Sequence, residues 1–156
     1  SNVPRPSDSD YRVKRPTEKD FAECCNEFWW VCTYVAKGLA RKEIIYAKDI
    51  LEKPVRDMFL KIIEWHIGIE TDFTASFGKS GKNMQAHLSP ELYERILSTY
   101  PDAEAEEIWK SLIKMTDIFR DLEKKIAAEL GLKYNLDEAH NVNEYLKWVY
   151  SLKKEK

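Results

Sequence analysis

The chain has 156 residues, of which 44 % are hydrophobic and 33 % charged, a composition typical of a folded protein rather than a disordered one. Its 25 basic and 27 acidic side chains nearly balance, so no overall field favours a nucleic acid, and no apolar run approaches the ~20 residues of a membrane helix. The three cysteines lack CxxC spacing, which argues against disulfides and a zinc site and favours a cytoplasmic location.

Residues 1–16 contain three prolines and are predicted to form an interdomain linker or arm. The chain opens with Ser1 rather than Met, and we expect another domain to precede it. Thr17 and Asp20 have the spacing of a capping box, in which a hydroxyl and a carboxylate satisfy free backbone N–H groups. A helical domain is therefore predicted over residues 17–156.

Apolar residues at helical spacing predict a long first helix from Phe21 to Leu39, which Gly38 ends or loosens. A second helix is predicted over residues 41–52, and Pro54 either kinks it or opens the next helix. That third helix continues to Glu70, before a loop over residues 71–82. The residues predicted to face inward from the second helix are Ile44, Ile45, Ala47, Ile50 and Leu51.

Three further helices are predicted in the second half of the chain. Ser89 followed by Pro90 is typical of a helix start and predicts a short helix over residues 90–98. A long helix is predicted over residues 103–130, ending before Gly131, and a last one begins at Asn141. No alternating pattern is long enough to predict a strand, so the predicted fold is an all-α, bundle-like domain.

An acidic stripe lies on the first predicted helix, because Asp20, Glu23 and Glu27 are spaced i, i+3 and i+7. Carboxylates in such a stripe can bind ammonium or guanidinium groups, and Trp30 can add an aromatic wall beside them. Asn26 lies in the same segment, residues 23–30, which also contains two cysteines and two tryptophans. A solvated helix face with a half-buried tryptophan is the more common arrangement for these residue types.

A basic cluster of Lys37, Arg41 and Lys42 lies where the first two predicted helices meet, and it can grip phosphate oxygens. An ordinary charged surface is again the commoner reading. The glycine-rich loop over residues 76–82 lacks GxxxxGK[ST] spacing and follows a helix, so it does not predict an ATPase phosphate loop. The three scattered histidines suggest no catalytic arrangement.

The strings CCNEFW at residues 24–29 and KGLARKEI at residues 37–44 resemble the aminoglycoside 6-adenylyltransferase family. The resemblance continues through residues 64–70, 76–79 and 88–100 and covers nearly the whole chain after residue 16. It implies a two-domain enzyme that transfers AMP from ATP to the 6-hydroxyl of streptomycin with Mg²⁺. The family's N-terminal nucleotidyltransferase domain carries a Gly-Ser motif followed by paired aspartates, and this chain contains no Gly-Ser motif.

By that resemblance, this chain is the helical substrate-binding half, inactive alone, with no metal site, no tightly bound cofactor and no assigned catalytic base. The acidic and tryptophan face is the implied antibiotic contact, and the basic cluster is the implied contact for the ATP phosphates. Two alternatives stay open, a stand-alone helical interaction domain and a regulatory domain of another nucleotidyltransferase. The implied antibiotic contacts are Asp20, Glu23, Asn26, Glu27 and Trp30, and the implied phosphate contacts are Lys37, Arg41 and Lys42.

Overall fold

A computed structural model describes residues 12–78 and 81–152 of the chain. The described residues form six α-helices and no strand, only an isolated bridge between Arg12 and Ser76. The all-helical prediction is confirmed. The helices are α1 (Glu18–Ala40), α2 (Ile44–Ile50), α3 (Arg56–Glu70), α4 (Pro90–Leu97), α5 (Ala105–Leu130) and α6 (Leu136–Leu152).

Helix α1 is the centre of the domain, since it contacts α2, α3, α5 and α6. The predicted capping box is confirmed, because the backbone N–H of Asp20 donates to the Thr17 hydroxyl at 3.0 Å and the Asp20 carboxylate accepts from the Thr17 N–H at 3.2 Å. On its buried side, Phe28 stacks on Phe119 of α5 with ring centroids 3.7 Å apart. This aromatic contact joins the two longest helices.

The turn between α1 and α2 differs from its prediction. Gly38 neither ends nor loosens α1, which continues to Ala40, and α2 begins at Ile44 rather than at residue 41. A Cβ on Gly38 would lie 2.9 Å from Cδ1 of Tyr46, so this glycine instead allows α2 to approach α1 closely. Ile45 was predicted to face inward but is 88 % exposed, because so short a helix buries only the side that carries Ala47.

Pro54 does not open the third helix. It lies inside a π-helical turn, Leu51–Val55, that connects α2 directly to α3. Proline has no N–H to continue the α-helical hydrogen-bond series, and a π turn is one way to absorb that loss. The buried guanidinium of Arg56 follows and fixes the start of α3, since it donates to Glu52 and to both the hydroxyl and the carbonyl of Thr99.

The second half of the chain follows its prediction except at two places. Helices α4 and α5 are confirmed within two residues of their predicted bounds, and Gly131 ends α5 with a φ of 64°. Helix α6 begins at Leu136 rather than at Asn141, because the Asn135 side chain accepts from the N–H groups of Asp137 and Glu138. A 3₁₀ turn, Met84–His87, was also not predicted.

Candidate functional site

A cleft of about 710 Å³ lies between α1, α3 and the segment that precedes α1. We call it the α1–α3 cleft. Its walls carry charges of both signs, and its floor is formed by side chains that are mostly withdrawn from solvent. The floor residues are Cys24, Met58, Trp65 and Phe77.

Three predicted antibiotic contacts, Asp20, Glu23 and Glu27, line this cleft together. Hydrogen bonds from the backbone and hydroxyl of Thr17 hold the pKa of Asp20 below its ordinary value, so this carboxylate stays ionised. Glu23 makes a long ion pair with Lys19, 3.9 Å apart, and both side chains are largely exposed. The stripe therefore presents carboxylates that are available to a cationic ligand.

Glu64 of α3 is a fourth carboxylate in the cleft, and the sequence did not single it out as a site residue. It is half-buried, and burial raises its pKa while the neighbouring Lys61 opposes that rise. In the sequence, Glu64 is one charged residue on an amphipathic helix, which is only weak evidence for a site residue. Only the packing of α3 against α1, with the Phe21 and Trp65 ring centroids 6.1 Å apart, places Glu64 near the acidic stripe.

The other two predicted antibiotic contacts, Asn26 and Trp30, are exposed but do not line the cleft. The indole N–H of Trp30 donates to the Tyr34 hydroxyl at 3.0 Å, and their rings meet edge to face. The structure therefore divides the predicted antibiotic group between the cleft and an exposed aromatic surface on α1.

The predicted phosphate contacts also lie outside the cleft. Lys37 places its Nζ 5.2 Å from the centre of the Tyr34 ring, a cation–π contact. Arg41 caps the end of α1, and Lys42 adopts a φ of 61° in the turn that follows. All three side chains are exposed, and their role with phosphate stays a prediction.

The cations that do line the cleft are Arg12, Lys14, Arg15 and Lys61. The first three belong to residues 12–16, the described part of the predicted linker, which packs on the domain. The Val13 N–H donates to the Ala75 carbonyl at 3.3 Å, and the Val13 side chain is buried in the core. We call residues 12–16 the arm. The rest of the predicted linker, residues 1–11, lies outside the described residues.

The opposite side of α1 holds a buried polar cluster around Glu123 of α5. The Trp29 indole N–H donates to Oε2 of Glu123 at 3.1 Å, and the Cys25 thiol also hydrogen-bonds this carboxyl. Burial raises the pKa of Glu123 to about 7, although both hydrogen bonds oppose the rise. Cys25 and Trp29, which belong to residues 23–30, are thus bound to the core and cannot reach a ligand in the cleft.

No three His, Cys, Asp or Glu side chains within the described residues come close enough to hold a metal ion. His66 is half-buried, and its Nδ1 lies 3.2 Å from Nζ of Lys125.

No helix among the described residues is long and apolar enough to cross a membrane.

The family described as Streptomycin adenylyltransferase matches residues 1–149 of the chain. Aminoglycoside 6-adenylyltransferase from Bacillus subtilis (strain 168) is 41 % identical over 145 residues, 93 % of this chain and 51 % of that protein. The Campylobacter jejuni aminoglycoside 6-adenylyltransferase is 41 % identical over 133 residues, 85 % of this chain and 46 % of that protein. The chain thus spans about half the length of the curated relatives it matches.

A solved structure has the same fold over nearly the whole chain. It is the crystal structure of an aminoglycoside 6-adenyltransferase from Bacillus subtilis, with a TM-score of 0.82 and 38 % sequence identity. The match covers 96 % of this chain and 57 % of that one. The arrangement of helices around the α1–α3 cleft is therefore shared with a larger protein.

Proposed function

The chain belongs to the streptomycin adenylyltransferase family, and from that premise we propose that it is the helical substrate-binding half of an aminoglycoside nucleotidyltransferase. The proposed reaction transfers AMP from ATP to the 6-hydroxyl of streptomycin. The observation that carries the proposal is that four carboxylates line one cleft without forming a tight cluster. These are Asp20, Glu23, Glu27 and Glu64.

Aminoglycosides are polycations, and carboxylates accept charge-assisted hydrogen bonds from ammonium and guanidinium groups. The α1 carboxylates approach such a ligand from one side and Glu64 approaches from α3. Trp65 also lines the cleft and adds apolar surface beside these carboxylates. Both charged and apolar parts of an aminoglycoside are thereby supported, which an exposed acidic helix face alone would not do.

We expect the adenylyl transfer itself to need residues outside this chain. The chain has no Gly-Ser motif, and its described residues supply no cluster of carboxylates for Mg²⁺. Metal ions in phosphoryl transfer neutralise the charge that develops on the triphosphate. ATP and Mg²⁺ are therefore proposed for the complete enzyme, and the chain alone is expected to be inactive with no tightly bound cofactor.

An N-terminal nucleotidyltransferase domain is the proposed protein partner, and a cytoplasmic location is proposed for the whole enzyme. Large aromatic side chains are exposed on two helices, Trp30 on α1 at 59 % and Tyr46 on α2 at 44 %, and such exposure supports contact with another domain. The same exposed residues would suit a stand-alone interaction domain. Specific binding of streptomycin in the cleft distinguishes the two, because an interaction domain has no reason to bind it.

Calorimetric titration of the chain with streptomycin tests the proposal. Wild type should bind weakly, and Glu27→Gln and Glu64→Gln should each bind more weakly. Glu91→Gln on α4 is a matched control, because it removes the same charge from an exposed residue outside the cleft. Equal affinities for all four proteins would contradict the placement of the antibiotic. AMP-streptomycin formed by the chain with ATP and Mg²⁺ would contradict its expected inactivity.

A further inference from the structure

The arm forms a positively charged wall of the α1–α3 cleft. Arg12, Lys14 and Arg15 all line it, and all three side chains are exposed. The predicted phosphate contacts Lys37 and Arg41 do not line the cleft. Three of the four cations that line the cleft with the acidic stripe therefore come from a segment assigned by its sequence to a linker.

The arm is held in place by contacts on both sides of its cations. Arg12 forms an isolated antiparallel bridge with Ser76, and the Val13 side chain is only 8 % exposed. The guanidinium of Arg15 lies 5.0 Å from the centre of the Phe73 ring. These contacts restrict the arm before any ligand arrives, which lowers the entropy that binding would have to overcome.

A strained turn after α3 supports this arrangement. Asp72 and Phe73 have φ values of 52° and 57°, a conformation unfavourable for a bulky aromatic residue. The Phe73 N–H donates to the Gly68 carbonyl at 2.6 Å. A Cβ on Gly68 would lie 2.5 Å from Cε1 of Phe73 and 3.1 Å from Cγ1 of Val13. Because Gly68 has no side chain, there is room for the Phe73 ring that the Arg15 guanidinium contacts.

The arm cations are not neutralised by the acidic wall. No ion pair found between described residues includes Arg12, Lys14 or Arg15, although four carboxylates line the same cleft. Walls of opposite charge that do not pair with each other can receive two ligands of opposite charge side by side. A polycation suits the carboxylates, and a polyanion suits the arm.

We propose that Arg12, Lys14 and Arg15 bind the triphosphate of a nucleoside triphosphate beside the cationic substrate. The identity of the two ligands rests on the proposed function, in which ATP and an aminoglycoside must meet. Two arginines and a lysine match a triphosphate, because guanidinium groups bind phosphate oxygens bidentately and the ammonium adds a point charge. The arm is then a binding element of the enzyme and not only a connection.

Titration of the 156-residue chain with inorganic tripolyphosphate and with ATP tests this assignment. The double variant Arg12→Gln/Lys14→Gln should weaken binding of both probes by about three- to tenfold, as expected for exposed charge-assisted contacts. The double variant Lys37→Gln/Arg41→Gln tests the competing phosphate contact predicted from the sequence. It removes two charges outside the cleft, and if the arm holds the triphosphate it should change binding by less than about twofold. The reverse result would move the triphosphate to the α1–α2 turn and overturn the proposal. Equal weakening by both double variants, or no binding to wild type, would also overturn it.

Arg15 is tested separately because its substitution can loosen the arm. Arg15→Lys keeps a cation beside Phe73 but loses the bidentate geometry, so it should bind tripolyphosphate more weakly while melting at the wild-type temperature. Streptomycin titration of the same variants separates the two proposals. Loss of tripolyphosphate binding in the arm variants without any streptomycin binding in wild type would support the arm and reject the proposed function. If wild type binds streptomycin but the arm substitutions leave tripolyphosphate binding unchanged, the proposed function is supported and the arm site is rejected.

Discussion

Trp29 and Trp30 are neighbours in the chain but have opposite roles in the structure. Trp29 is fully buried, packs edge to face on Phe119 and donates to Glu123. Trp30 is 59 % exposed, and its indole contacts the next turn of its own helix through Tyr34. Residues 23–30 therefore combine unusual residue types for two separate reasons. On one side of α1 they make a polar contact in the core, and on the other side they form an exposed surface.

The difference shows that a binding site predicted from an unusual cluster of residue types can be too large, because some of those residues serve the core. Cys25 and Trp29 are explained by the buried Glu123, whereas Glu23 and Glu27 face the cleft. If this division is correct, substitutions on the buried side should change stability. Substitutions on the cleft side should change binding and leave stability almost unaltered.

Replacing the two tryptophans is the strongest test of the comparison. Trp29→Ala should lower the free energy of unfolding by about 3–5 kcal/mol, because it leaves a cavity against Phe119 and removes the hydrogen bond to Glu123. Trp30→Ala should lower it by less than about 1 kcal/mol. Urea denaturation of both variants measures these values, and similar losses would contradict the division.

The buried carboxyl should make stability depend on pH. The pKa of Glu123 is raised from 4.5 to about 7, so between these values the folded chain binds more protons than the unfolded chain. The free energy of unfolding should therefore fall as pH rises through this window, by about 3 kcal/mol in total. Urea denaturation at several pH values should show this fall in wild type and not in Glu123→Gln. Parallel profiles for the two proteins would exclude Glu123 as the cause.

On the cleft side, Glu64 should make streptomycin binding depend on pH. Burial raises the pKa of Glu64, whereas the pKa of Asp20 is lowered, so Glu64 loses its charge before Asp20 does as pH falls. Wild-type affinity should begin to fall at higher pH than the affinity of Glu64→Gln, with a loss of about two- to fivefold. Calorimetry across acidic pH measures the difference, and identical profiles would remove Glu64 from the site.

The smallest expected effect is that of Glu27→Gln on stability. Glu27 is exposed, so this variant should unfold within about 0.5 kcal/mol of wild type. Its affinity for streptomycin should still fall by about 0–1 kcal/mol, and the difference from wild type should shrink at high salt. A large loss of stability, or a difference in affinity that salt does not change, would place Glu27 in the core rather than on the cleft wall.

The sequence by itself determined the helices, two helix starts and one helix end, and the acidic stripe. These features depend on residues within about one turn of each other, as in the capping box of Thr17 and Asp20. The start of α6 was missed for a related reason, since Asn135 and Asn141 are both suitable caps. The earlier start also allows Ala139 to be buried in the core, a contact that lies outside the local pattern.

Only the tertiary structure decided which residues meet in the cleft and which are excluded from it. Glu64 joins the acidic stripe because α3 packs on α1, and the arm joins it because Val13 pairs with Ala75. The roles of Trp29 and Trp30 were separated by Glu123, which is 94 residues from Trp29 in the chain. Helical periodicity specifies which residues share a face, but the contact of that face with a distant segment depends on how the helices pack.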